Sequence, residues 1–164
     1  MELFDVYNEK RKKLGYTKER GTILFSNEYN QGAEIWIFND KQLLITKRAK
    51  NKSHAGKWEV PGGASIVNET TIDTIIREAK EEINIDINKK NISLLNTSLY
   101  KKQFVDIYIS RNIDLKNIKL QLEEVDDYKL VTKKEFLQMN NNKEIVKSVF
   151  QRYLLIEKKI DNYW

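Results

Sequence analysis

The chain has 164 residues, 40% hydrophobic and 10% aromatic, which is enough for one globular domain with a core. It has no cysteine, which excludes thiol catalysis, disulfides and cysteine-ligated zinc, and its single histidine excludes a multi-histidine metal site. The net charge of +5 suits either anionic ligands or a solvated basic surface. Without a membrane-length apolar run or a secretory signal, we expect a cytoplasmic protein with no membrane partner.

The first predicted element is a β-hairpin. Runs 33–39 and 42–49 are rich in β-branched and aromatic residues and flank a polar turn at 39–41. Trp36, Phe38 and Trp58 are expected to be core residues rather than surfaces on which a base stacks.

A loop and an amphipathic helix follow the hairpin. The segment 61–85, PGGASIVNETTIDTIIREAKEEINI, opens with a proline and two glycines that allow the backbone to approach a ligand. Thr70 with Asp73 predicts a capped helix start, and Asn84 suits a left-handed C-terminal cap. An apolar stripe at helical spacing is expected to face the core: Ile72, Ile75, Ile76, Ala79 and Ile83.

Three glutamates crowd the second half of this helix. Glu78, Glu81 and Glu82 fall within five residues, and like charges at helical spacing repel by roughly a few tenths of a kcal/mol per pair. They are expected beside and opposite the apolar stripe, where they can converge at the helix edge. Such carboxylates, with a backbone carbonyl from the glycine turn, suit Mg²⁺ or Mn²⁺, which also bind phosphates. The pattern therefore predicts a metal site for phosphate chemistry.

The remainder of the chain predicts further strands and helices. Residues 98–112 supply a strand or a strand pair, and 128–132 a short strand. A helix start is expected at 133–139, followed by a longer helix from about Lys143 to Lys158. The coarse prediction is a mixed α and β fold.

The central segment resembles the Nudix box, G-x5-E-x7-R-E-U-x-E-E-x-G-U, where U is a bulky apolar residue. Six defining positions agree: Gly63, Glu69, Arg77, Glu78, Glu81 and Glu82. The final glycine of the box is Asn84 here, and asparagine is the residue that next best tolerates a left-handed backbone. With Trp58 and Pro61 before it, the resemblance is specific over about residues 56–85.

The resemblance implies a single Nudix domain over 1–164, with a mixed sheet between helices and the box as a loop-helix-loop at 61–85. It implies that Glu78, Glu81 and Glu82 bind Mg²⁺ or Mn²⁺, helped by a backbone carbonyl near Gly62. Glu69 and Arg77 would pair to brace the loop near Gly63. The implied reaction is hydrolysis of a nucleoside diphosphate linked to another group X, in which the metal activates water and neutralises developing charge.

The general base is not specified by the box. Glu78 and Glu81 are candidates, and so is an acidic group from a later loop, for which Glu124 in the run 123–127 is our preference. A solvated acidic turn is the alternative reading of that run. Candidate substrate contacts are Arg48, His54 and Trp58.

Residues 1–30 carry a finer resemblance. FDVYNEKRKKLGYTKERG is similar to the N-terminal extension of Nudix proteins related to isopentenyl diphosphate isomerase. That isomerase uses a cysteine and a histidine-containing metal site, which this chain lacks. Two alternatives remain: an isomerase-like protein, and a non-catalytic module that binds nucleotide or RNA. A nucleotide-type small molecule is the expected partner, with nucleic acid and a second copy of the chain left open.

Overall fold

A mixed β-sheet forms the centre of the protein in the computed structural model, which describes residues 2–164. Seven strands belong to it, and two N-terminal strands pair separately. The strands are β1 (Leu3–Tyr7), β2 (Lys13–Glu19), β3 (Asn30–Asn39), β4 (Gln42–Arg48), β5 (Trp58–Glu59), β6 (Gly62–Ala64), β7 (Ser93–Tyr100), β8 (Gln103–Arg111) and β9 (Val125–Val131). The helices are α1 (Thr71–Ile83), α2 (Lys133–Asn141) and α3 (Lys147–Ile160).

Strand β3 organises the sheet by pairing with three neighbours. It runs parallel to β8 along its length, from Asn30 beside Gln103 to Phe38 beside Arg111. Its C-terminal end turns into β4 through the predicted hairpin, and its N-terminal half pairs antiparallel with β6. The short β6 strand therefore carries the glycine turn of the box directly onto the central strand.

Helices cover both faces of the sheet, which confirms the layered mixed fold predicted from the box. One core packs α1 against Ile35 and Ile37 of β3, whereas the other packs α2 and α3 against Trp36 and Phe38. The alternation along β3 follows from the period of two in a strand, which sends successive side chains to opposite faces. Trp36 and Phe38 are core residues, as predicted.

The start predicted for the C-terminal helix, Lys143, is wrong, because α3 begins at Lys147. Lys143 has a positive φ of 60°, and residues 144–146 run extended beside β5, where Val146 N–H donates to the Trp58 carbonyl. Burial of Ile145 and these backbone bonds outweigh helix continuation after an asparagine-rich end of α2. The acidic run 123–127 also differs from expectation, because β9 begins at Val125 rather than Tyr128.

Strands β1 and β2 form a hairpin that packs on the loop of the box. The Leu3 carbonyl accepts from Val67 N–H at 2.9 Å, and Asp5 Oδ2 accepts from Asn68 N–H at 2.8 Å. At the hairpin turn, Arg11 donates to both carboxylate oxygens of Asp106 on β8, at 2.8 and 2.7 Å. Within residues 2–164, none of the helices is long and apolar enough to cross a membrane.

Candidate active site

The glutamate-bearing helix α1 is capped at both ends as predicted. The Thr70 hydroxyl accepts from Asp73 N–H at 3.3 Å, while Asp73 Oδ2 accepts from Thr70 N–H at 3.2 Å, so the capping box is complete. At the other end, Asn84 has φ 56° and donates its N–H to carbonyls of the last turn. Local sequence therefore fixes both ends of the helix, and with them the positions of its glutamates.

The buried face of α1 is wider than the predicted apolar stripe. Ile75, Ala79 and Ile83 are fully buried as expected, but Glu82 is buried with them, at 8% exposure. A carboxylate on the buried face of a helix is costly unless it has a partner. Glu82 is therefore the glutamate under the strongest demand for a cation.

No cationic side chain among residues 2–164 donates to the buried Oε2 of Glu82. Its Oε2 is buried and has no hydrogen-bond partner among residues 2–164. Burial raises the pKa of Glu82 well above its ordinary value, and the charges of Glu59, Glu78 and Glu124 raise it further. The backbone N–H of Gly62 only partly offsets this effect. The charges of three other carboxylates thus act on the buried carboxylate of Glu82.

Arg77 contacts three of the predicted site carboxylates. Its Nε and Nη2 donate to the two oxygens of Glu69 at 2.7 and 3.0 Å, and Nη1 donates to Glu78 at 2.8 Å and Glu81 at 3.1 Å. A further bond at 3.2 Å reaches the Ala64 carbonyl on β6. Burial would raise the pKa of Glu69, but bonds from Arg77, Ile66 N–H and Thr74 bring it below the ordinary value.

Gly63 leaves room for the Glu78 carboxylate. A Cβ placed on Gly63 would lie 2.3 Å from Glu78 Oε1 and 2.5 Å from its Cδ, which is closer than van der Waals contact permits. Burial raises the pKa of Glu78, with Arg77 opposing and Glu81 reinforcing the shift. Gly63 is required for close approach of a side chain rather than for an unusual backbone angle.

Two glutamates that sequence reasoning missed lie nearby: Glu34 is buried and Glu59 is partly buried. Glu59 on β5 accepts from Arg48 at 2.6 Å, and burial raises its pKa to about 7. Glu34 on β3 accepts from Arg152 at 2.7 Å and from the Trp36 indole at 3.1 Å, and burial raises its pKa as well. Each is a single acidic residue inside an otherwise apolar strand, and that signal could have found them.

Glu34 and Glu59 line a cleft of about 270 Å³, which we call the carboxylate cleft. Its floor includes Gly62 and Gly63 of β6, and its walls carry Arg20 and Arg152. The cleft is open at the surface and holds both acidic and basic side chains. It can therefore take a ligand that carries phosphate groups together with a cation.

Glu124 reaches this site from the connection before β9. Its backbone carbonyl accepts from Ala49 N–H at 3.0 Å, and its carboxylate forms an ion pair with Lys52. Although partly exposed, it is close enough to contribute to the raised pKa of Glu82. Its role as a general base stays a prediction.

A family model for the NUDIX domain matches residues 28–153. The chain belongs to the Nudix hydrolase family. It is 32% identical over 158 residues to an uncharacterised Nudix hydrolase of Listeria monocytogenes, covering 94% of each chain. The enzyme class predicted from the Nudix box, a pyrophosphohydrolase, is confirmed at the level of the family. The relation of residues 1–30 to the isomerase subgroup stays a prediction.

Solved structures share the Nudix fold. A Deinococcus radiodurans protein superposes with a TM-score of 0.74 at 22% identity, covering 89% of this chain and 93% of its own. A bifunctional NMN adenylyltransferase/ADP ribose pyrophosphatase of Francisella tularensis, complexed with AMP and a Mn ion, gives 0.61 at 17% identity. That match covers 80% of this chain and 42% of the other. At these identities the likeness concerns the fold alone.

The donor set of the Nudix helix fits a divalent metal chemically. Glu82 provides a buried oxygen without a partner, and its neighbours are carboxylates rather than cations. In the present conformation no three acidic or histidine side chains among residues 2–164 are grouped closely enough to hold an ion. Arg77 explains this spacing, because it binds Glu78 and Glu81. A metal would therefore compete with Arg77 for these two glutamates.

The three predicted substrate contacts of the Nudix protein are not brought together. Arg48 is engaged by Glu59 and by the carbonyl of Ser53, at 2.6 Å each. Trp58 is buried in the core that includes Ile145, with Lys129 Nζ 4.4 Å from the centre of its ring, and its role as a substrate contact stays a prediction. His54 is exposed and lines a cavity that shares no residue with the carboxylate cleft.

Proposed function

We propose that this protein hydrolyses a diphosphate bond in a nucleotide or nucleotide derivative, using Mg²⁺ or Mn²⁺. The observation that carries the proposal is Glu82, a buried carboxylate whose Oε2 has no partner. The charges of three other carboxylates act on it, and it accepts a bond from the backbone of Gly62, which lines the open cleft. Such a cluster is unfavourable in the absence of a cation and becomes favourable when one binds. The bound nucleotide and Mn ion of the Francisella structure are consistent with this chemistry on the same fold.

In this proposal Glu82, Glu78 and Glu81 hold the metal. The metal supplies a water of lowered pKa and neutralises charge on the phosphate oxygens. Arg77 positions Glu78 and Glu81 on one side and is itself held by Glu69, so the loop of the box and the helix move as one unit. Arg20 and Arg152, which line the carboxylate cleft, supply positive charge for the phosphates.

Glu124 is our candidate for the general base. Its carboxylate is partly exposed in the connection before β9, where it can contact water, and its charge acts on Glu82. Glu78 and Glu81 remain the alternative bases, since each is within the same group. Glu124→Gln should lower kcat and leave metal-dependent stabilisation in place, whereas Glu82→Gln should remove both.

We also propose that residues 1–164 act as one domain. The N-terminal hairpin contacts the box loop through Leu3 and Asp5 and the central sheet through Arg11 and Asp106. These contacts tie the extension to the elements that hold the site. Deletion of residues 1–19 should therefore lower the melting temperature and activity together.

A substrate panel tests the function directly. The protein would be incubated with Mg²⁺ in H₂¹⁸O and one member of a panel: nucleoside triphosphates, nucleoside diphosphates, nucleotide sugars, ADP-ribose and dinucleotides. The products would be identified by mass spectrometry. We expect cleavage of a diphosphate bond, with ¹⁸O on one product that identifies the attacked phosphorus. Saturable binding without turnover of any member would instead favour a non-catalytic nucleotide-binding module.

A further inference from the structure

Two side-chain amides lie next to each other at one end of the central sheet. Asn30 begins β3 and Gln103 begins β8, and the parallel register places them side by side. The Oδ1 of Asn30 is buried and has no hydrogen-bond partner within residues 2–164. The amide nitrogen of Gln103 lies over Gly32, 3.0 Å from where a Cβ would stand, so the missing side chain leaves it space.

This amide pair, Asn30 and Gln103, lines a cavity of about 270 Å³ beneath the N-terminal segment, which we call the N-terminal cavity. Apolar side chains from the β1 strand and the flanking loops form much of its wall: Leu3, Phe4, Leu24 and Ile66. The combination of apolar walls with a few fixed polar groups is typical of a small-molecule site.

The N-terminal cavity adjoins the carboxylate cleft. Arg20, Ala64 and Gln103 line both of them, so the two spaces meet at these residues. A ligand with its phosphates beside the glutamates therefore extends past Arg20 to the amide pair. The N-terminal extension supplies one wall of that path, which gives it a part in the site.

Arg20 lies where the two cavities meet, and its ion-pair partner, Glu2, is easily displaced. It donates to Glu2 at 2.6 Å, and both side chains are more than half exposed. Exposed ion pairs contribute little stability, so a phosphate can displace the Glu2 carboxylate at small cost. Arg152, by contrast, is held by the buried Glu34.

The chemistry of the N-terminal cavity selects one kind of ligand group. A carboxamide presents a donor and an acceptor side by side, and so does the hydrogen-bonding edge of a nucleobase. Apolar walls suit the faces of a planar ring. A phosphate would find no charge at the amide pair, and a hydrocarbon chain would leave the buried Asn30 oxygen unpaired.

We propose that the N-terminal cavity binds the nucleobase of the substrate, with Asn30 and Gln103 hydrogen-bonding its edge and Arg20 binding the adjoining phosphates. This inference rests on the proposed function and assigns recognition of the base to this cavity and its two amides. The amide pair acts in substrate binding and takes no part in the chemical step.

The test compares nucleotides with a substrate that lacks the base. Asn30→Leu and Gln103→Leu keep side-chain size while removing the amides, and Asn141→Leu, at an exposed asparagine on α2, is the matched control. Initial rates with Mg²⁺ would be measured on the four common nucleoside 5′-diphosphates and on ribose 5-diphosphate. Each cavity variant should lower kcat/KM at least about tenfold for the preferred nucleotide, through KM, and leave ribose 5-diphosphate within about twofold. Equal losses on both substrates, or no loss, would overturn the proposal.

A binding measurement separates this inference from the proposed function. Nucleoside 5′-monophosphates would be titrated calorimetrically in EDTA, where no turnover is needed. The wild type and Asn141→Leu should bind the preferred monophosphate at least about tenfold more tightly than Asn30→Leu. If no diphosphate is hydrolysed but this difference appears, the base site stands and the hydrolase function fails. If hydrolysis occurs but both variants bind like the wild type, the base site is wrong and the function stands.

Discussion

Arg77 and Glu69 form a two-bond pair across the loop-helix junction, Nε to Oε1 at 2.7 Å and Nη2 to Oε2 at 3.0 Å. The same guanidinium extends to Glu78 and Glu81. One planar fork therefore connects the loop after β6 to the glutamates on α1. This geometry requires arginine, because an ammonium cannot donate along two parallel directions.

Arg77→Lys should destabilise the protein by about 1–3 kcal/mol, because bonds to a charged, largely buried carboxylate are lost. Turnover should fall with it, since Glu78 and Glu81 lose their support. Chemical denaturation in EDTA and initial rates in Mg²⁺ measure the two effects. Arg111→Lys is the control, because Arg111 lies over the ring of Tyr163 at the end of β8. A variant at Arg77 that unfolds like the wild type would refute the bracing role.

Glu78→Gln should reduce turnover but leave the melting temperature in EDTA unchanged or higher. Burial and Glu81 raise the pKa of Glu78 despite the bond from Arg77, so folding penalises the ionised form relative to the neutral form. An amide imitates that neutral form and relieves repulsion with Glu81 and Glu82. Melts followed by circular dichroism would decide the question. A melting temperature far below that of the wild type would mean that Glu78 braces the fold.

Gly63→Ala should reduce activity at least about tenfold through displacement of one carboxylate. The added methyl group would meet Glu78 at 2.3 Å, and the glycine needs no positive φ, so backbone strain does not contribute. The Glu78 side chain must swing away, and a small loss of stability is expected. Gly56→Ala is the contrasting control, since its Cβ meets open space but its φ is 73°. Activity equal to wild type in Gly63→Ala would show that Glu78 need not lie there.

Stability without metal should fall as pH rises from about 5.5 to 8. Burial raises the pKa of Glu59 to about 7 and that of Glu82 above its ordinary value. The folded protein thus keeps protons that the unfolded chain, titrating near 4.5, has already released, and rising pH favours unfolding. Carboxyls with lowered pKa, such as Glu69, titrate below this range.

Melting temperatures at pH 5.5 and 8 in EDTA and in Mg²⁺ would measure this dependence. Bound metal favours the ionised carboxylates, so saturating Mg²⁺ should remove the fall and raise the melting temperature at pH 8. Glu59→Gln should flatten the EDTA profile in part. A melting temperature that rises from pH 5.5 to 8 in EDTA would contradict the assigned pKa shifts.

The parts that sequence predicted well are those set by local rules. The caps of α1 at Thr70 and Asn84 depend on residues a few positions apart, and the hairpin at 39–41 on turn composition. The contact between Glu69 and Arg77 followed from the resemblance to the box. Each of these features needs no knowledge of distant segments.

Features set by tertiary contacts could not be predicted. Residues 144–146 are extended because they pair with Trp58, more than eighty positions away. Glu59 belongs to the site only because the fold brings β5 close enough for its charge to act on Glu82. Glu82 is buried because the loop before β9 covers the end of α1, where Gln121 N–H donates to the Glu82 carbonyl.

The rate of Glu82→Gln measures the central claim most directly. This change removes one charge with little change of shape, at the buried oxygen that has no partner. With the preferred nucleotide and saturating Mg²⁺, the initial rate should fall at least about a hundredfold, as for loss of a main metal contact, while circular dichroism shows a folded protein. A folded Glu82→Gln variant that hydrolyses the nucleotide at nearly the wild-type rate would contradict a metal-dependent site on this helix.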